Sequence, residues 1–154
     1  MRLILIVLIF LALTSCKNDI STNIKFIAFG DAPMSSTKDM FNKKNVYELY
    51  EKLIQNINVA NPSLVINTGD THKSSICSND KIDYFYRSFN NIQSPVIYTP
   101  GDNDWLDCVK AQDGIFEPLE RLNYLRQTYF NKKNTLGAFP LPLVNQNQDG
   151  HPEN

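Results

Sequence analysis

Apolar positions along the chain follow two alternating patterns. Short runs of β-forming residues end at turn residues, and longer stretches repeat an apolar position every three or four residues. Ile24 to Phe29 is rich in β-formers and ends at Gly30, which reads as a strand. Lys44 to Asn58 carries Val46, Tyr47, Tyr50, Leu53, Ile54 and Ile57 at helical spacing, and Asn61-Pro62 stops it. Leu64-Val65-Ile66 is a second strand, ending near Gly69. Asp80 to Ile92 places Ile82, Phe85, Tyr86, Phe89 and Ile92 on a helical face before Ser94-Pro95 breaks it. Val96-Ile97-Tyr98 is a third strand that runs into Pro100-Gly101. Pro118 suits the first position of a third helix, with Leu119, Leu122, Leu125 and Phe130 as its apolar face. The order β-α-β-α-β-α predicts an α/β fold: a parallel sheet with right-handed crossovers and flanking helices. From Asn131 the period is lost, so the domain is expected over 24–136 and a loop or tail over 137–154.

The first sixteen residues follow a different rule. Met1-Arg2 gives one positive charge, and Leu3 to Leu13 is an unbroken apolar run. A bilayer-spanning helix needs about 20 such residues, so this run has the length of a secretory h-region instead. Leu13-Thr14-Ser15-Cys16 resembles a bacterial lipobox, after which cleavage leaves Cys16 to be lipidated. A buried N-terminal element and a plain cleaved signal are the alternatives. The expectation is an exported lipoprotein of the cell envelope, held to a membrane by acyl chains on Cys16 and joined to its body by a polar tether, 17–23. With Cys16 assigned to the lipid, Cys77 and Cys108 remain, and an oxidising compartment favours a disulfide between them.

Charge narrows the classes further. The 154 residues hold 15 Lys+Arg against 16 Asp+Glu, so neither a polybasic nucleic-acid binder nor a self-repelling acidic coil is expected. The aromatic residues of the second helix lack an accompanying basic stripe, so no nucleic-acid patch is predicted.

Candidate chemistry lies where the strands stop. Each of the three runs ends in Gly-Asp: Gly30-Asp31, Gly69-Asp70 and Gly101-Asp102. Ligands bind at the carboxyl ends of strands in open α/β sheets, and Gly lets the backbone turn sharply and approach them. One Gly-Asp pair is an ordinary turn. Three, each after a buried strand, would gather carboxylates at one rim, and like charges that close call for a raised pKa or a bound cation. Oxygen-rich sites favour hard or borderline divalent ions.

At these residues the chain resembles the calcineurin-like metallophosphoesterases, whose motifs run Asp-x-His, Gly-Asp and Gly-Asn-His-Glu/Asp. Gly101-Asp102-Asn103-Asp104-Trp105-Leu106-Asp107-Cys108 resembles a bacterial subgroup whose third motif reads Gly-Asp-Asn-Glu-Trp followed by Asp-Cys; Cys77-Ser78-Asn79-Asp80 and the stretch from Pro118 to Arg126 resemble it too. The resemblance covers Ile24 to about Leu136. It implies the N-terminal half of an α/β sandwich and two divalent ions (Mn, Fe, Zn or Mg) acting on a phosphate mono- or diester. Asp31 matches the first-motif ligand and Asp70 the bridging ligand. Asp102 stands where the third-motif Asn ligand usually sits, and Asn103 where the neighbouring catalytic His sits; a one-residue slip makes Asn103 the ligand. His72 and Asp104 are candidates to support the metal edge from behind, although His72 also suits an exposed loop. The departures are Pro33 in place of the first-motif His, no Gly-His-x-His run, and a chain shorter than the family's. The expectations are therefore an exported metal-dependent phosphoesterase, as an incomplete part of one, or an inactive metal- or phosphate-binding lipoprotein on the same scaffold.

Overall fold

The structure is a computed structural model that describes residues 23–32 and 46–144. The signal segment, Cys16, most of the tether, Pro33 and the polar tail from 145 lie outside the described residues. Among the described residues no helix is long and apolar enough to cross a membrane.

Strand β1 (Phe26–Phe29), helix α1 (Val46–Ala60), strand β2 (Leu64–Asn67), helix α2 (Asn79–Asn90), strand β3 (Val96–Tyr98) and helix α3 (Pro118–Tyr129) follow in the expected order, with a short 3₁₀ helix, Leu106–Lys110, before α3. The sheet is parallel, in the order β1-β2-β3. Phe29 lies beside Asn67 and Asn67 beside Tyr98, so all three strands end at the same level.

Local signals account for the ends. Asn61 takes a left-handed conformation (φ 46°) and donates its N–H to Ile57, ending α1 in a way that Asn tolerates better than most residues. Glu117 accepts the N–H of Glu120 and Pro118 follows at the first helical position, so α3 starts as expected.

All three helices pack on one face of the sheet. Tyr50, Ile54 and Ile57 of α1, Ile82, Phe85 and Phe89 of α2, and Leu125 and Tyr129 of α3 share a core with Val65, Val96 and Tyr98. Strands stepping in one direction through crossovers of one hand leave their helices on one side. The opposite face, with Ala28, Ile66 and Ile97 in one row, is poorly covered: Phe26 is 60% exposed and Ile97 38%.

One expectation needs correction. The buried stripe of α3 is Arg121, Leu125 and Tyr129, while Leu119 is 67% exposed. The helix turns this stripe inward because Arg121 bonds the Cys77 carbonyl and the Asn79 side chain while its stem stays packed. Residues 137–144 form no helix or strand, but this loop docks on the sheet edge. Leu136 exchanges two backbone hydrogen bonds with Val96, and Thr135 and Lys133 pair with Leu141 and Leu143. This small antiparallel turn covers part of the free edge of β3, a position that open sheets protect.

Candidate functional site

The three Gly-Asp turns meet at the carboxyl end of the sheet. Asp31 donates its N–H to the Gly69 carbonyl at 3.0 Å, and the buried Asn67 side chain accepts the Gly69 N–H at 3.0 Å. Gly69 is required by conformation as well as by contact, and Gly101 by contact alone. A Cβ on Gly69, whose φ is +92°, would lie 2.2 Å from the Gly101 nitrogen; one on Gly101 would lie 2.1 Å from Asp70 Oδ1. Asp31 and Asp70 themselves adopt positive φ, 48° and 51°. Asp is among the few residues that visit this left-handed region.

Asp70 is the electrostatic centre of this rim. Burial pushes its carboxyl above the ordinary range, the Asn103 N–H offsets part of that, and the negative charges of Asp102, Asp104 and Asp31 push it further up. Carboxylates from all three turns therefore act on one group. Asn103 donates its N–H to Asp70 Oδ1 at 3.2 Å and to Asp102 Oδ1 at 3.0 Å. Asp102 is exposed, and its carboxylate is engaged with its own loop; its carbonyl accepts the N–H groups of Trp105 and Asp107 to begin the 3₁₀ turn.

His72 is not the exposed loop residue that its sequence position suits. It is 1% exposed, it packs 5.6 Å from the Phe85 ring, and its Nε2 lies 3.8 Å from Asp104 Oδ1. Its burial follows from a chain that turns inward after Asp70 to reach Cys77. Asp104 is fully buried beneath the rim.

The walls of the site are cross-linked. Cys77 and Cys108 form a disulfide, with Cα atoms 5.7 Å apart, joining the loop after Asp70 to the 3₁₀ helix after Asn103. Asp113 accepts the N–H groups of Cys77 and Ser78 at 2.9 and 3.0 Å. Burial raises the Asp113 carboxyl, but these donors outweigh it and hold the group below its ordinary range. Arg121 closes the arrangement from α3, stacked over Phe116 and Tyr124. The sequence reading missed Arg121, although a signal was present: it lies four and eight residues before Leu125 and Tyr129, a cation on a buried stripe.

The fit to a divalent metal is partial. Asp31, Asp70 and Asn103 lie on adjoining turns of one rim, yet among the described residues no group of three or more His, Cys, Asp or Glu side chains could hold an ion. Comparison with known protein families, with curated proteins and with solved structures found no match.

Proposed function

We propose that this chain carries part of an exported, metal-dependent phosphoesterase, with Asp31, Asp70 and Asn103 as its contribution to a site for divalent ions and a phosphate ester. The observation that supports the reading is the meeting of three Gly-Asp turns at the carboxyl end of a parallel sheet, where hydrogen bonds join Asp31 to Gly69 and the Asp70 turn to Asn103 and Asp104; the carboxyl of Asp70 is raised there, first by burial and further by its acidic neighbours. A bound divalent ion would relieve that crowding and supply Lewis acidity and an activated water. Asp31 and Asp70 offer anionic oxygens. Asn103 offers an amide that can orient a phosphate oxygen but cannot transfer a proton at neutral pH. The remaining ligands would have to come from residues outside the described ones. Lipidation at Cys16 would place the site at the cell-envelope membrane.

A second reading, a metal- or phosphate-binding protein without turnover, is favoured by one observation: the imidazole of His72, two residues after Asp70, is buried rather than presented to a substrate. One pair of measurements separates these readings. Calorimetric titration with Mn²⁺ should show binding that Asp70→Ala weakens by about a hundredfold, since a desolvated charged contact is lost. Turnover of an aryl phosphate with Mn²⁺ then decides for the hydrolase, and binding without turnover for the binding protein. An affinity for Mn²⁺ unchanged by Asp70→Ala refutes the metal site on which the hydrolase and the metal-binding readings both rest.

A further inference from the structure

Beneath the rim lies a side chain for which the proposed chemistry has no use. Asp104 is 0% exposed, although its loop also carries exposed Asp102. Its Oδ2 accepts the N–H of Asp70 and the N–H of Gly101, both at 2.9 Å. Its Oδ1 accepts the N–H of Thr71 at 2.9 Å and the Thr71 hydroxyl at 2.6 Å. Four donors from two turns thus converge on two oxygens, which is what a buried carboxyl group requires. Below it, the buried His72 Nε2 has no hydrogen-bond partner and lies 3.8 Å from Oδ1.

The connections between the turns show what this arrangement controls. The first and second turns are joined by the Asp31 N–H on the Gly69 carbonyl. The second and third are joined by Asn103 on the Asp70 side chain and by Asp104 on the Asp70 backbone. Asp104 therefore sets where the Asp70 peptide lies, and with it the direction of the Asp70 carboxylate relative to Asn103.

We propose that Asp104 is the positioning residue of the rim: a buried carboxyl group that touches no ligand, clamps the Asp70 turn to the Gly101 turn, and is seated from below by His72. The inference rests on the reading of the rim as a divalent-metal site. Asp104→Asn keeps the shape but puts an NH₂ where an oxygen accepts two donors, so one pair of bonds must fail. Thr71→Val removes only the hydroxyl donor, and Thr71→Ser keeps it.

The test is amide hydrogen exchange and Mn²⁺-induced line broadening, both read by NMR on the full chain. In Asp104→Asn, protection should fall by roughly ten- to a hundredfold at Asp70 and Gly101 if the NH₂ replaces Oδ2, or at Thr71 if it replaces Oδ1, as expected for the loss of one pair of buried hydrogen bonds. Protection at Val65 and Phe89 should be unchanged. Thr71→Val should lower protection at Thr71, whose N–H shares Oδ1 with the lost hydroxyl, by a smaller factor, and Thr71→Ser should restore it. Mn²⁺ broadening at Asp70 and Asn103 should weaken in Asp104→Asn and in Thr71→Val, which a purely structural role elsewhere would not produce. Unchanged protection at the three amides, or broadening that both variants leave intact, overturns the proposal. If Asp104→Asn does not fold, the Thr71 pair decides by the same criteria. Absence of Mn²⁺ broadening in the unaltered chain would refute the metal reading by itself, and the exchange data would still decide the clamp.

Discussion

Replacing Cys77 and Cys108 together by Ala removes the bridge between the two loops that flank the rim. The two cysteines are 31 residues apart in sequence, so the closed loop holds about 32 residues. The chain-entropy expression then gives a stabilisation of about 3.7 kcal/mol at 25 °C. Both side chains are fully buried, and Ala keeps the site apolar, so little polar cost is added. An unfolding entropy of about 2.1 cal/mol/K per residue, over roughly 110 described residues, converts this into a fall in Tm of about 15 °C. A domain of this size has a total stability of only about 5–15 kcal/mol, so the loss is large. The assay is thermal unfolding of both proteins under oxidising conditions and after reduction in denaturant. Oxidised, the unaltered chain should melt well above the double variant; reduced, the two should coincide. The urea m-value should also rise in the variant, because an uncrosslinked unfolded chain exposes more surface. A difference under about 3 °C when oxidised, or a reductant effect equal in both proteins, would refute the reasoning.

Gly69→Ala should cost roughly 2–4 kcal/mol in urea unfolding, from a positive-φ conformation together with contact against unyielding backbone; a cost below about 1 kcal/mol would mean that the turns are not packed as described. Asp113→Asn should destabilise by about 1 kcal/mol at pH 7, a modest figure because the group is exposed. The hydrogen bonds hold the native Asp113 carboxyl below the ordinary carboxylate range, so its contribution is present above that range and is lost as pH falls through the native value. The stability difference should therefore shrink in acid, and a difference that is constant down to pH 2 would contradict the assignment.

The order and type of the elements were legible because each buries one face only. Tyr50, Ile54 and Ile57 in α1, and Ile82, Phe85 and Phe89 in α2, repeat at the spacing that a one-sided helix needs, and the structure buries all six. The convergence of the Gly-Asp turns was legible for a related reason: parallel strands of nearly equal length end at one level, and their last residues have nowhere else to go. Periodicity fails where a polar side chain is buried, because burial of that kind is set by partners distant in sequence. Arg121 faces inward for the carbonyl of Cys77, 44 residues earlier, and so turns Leu119 outward. Asp104 and His72 look like loop residues until the Asp70 turn is folded over them, since the donors that make Asp104 tolerable lie at Asp70 and Thr71, more than 30 residues away. Composition can name the carboxylates of a rim. Which of them is held beneath the rim and which stays at its surface depends on where the backbone N–H groups point: those of Asp70, Thr71 and Gly101 converge on buried Asp104, while Asp70 stays only partly buried, its carboxyl raised first by that burial and then by its acidic neighbours.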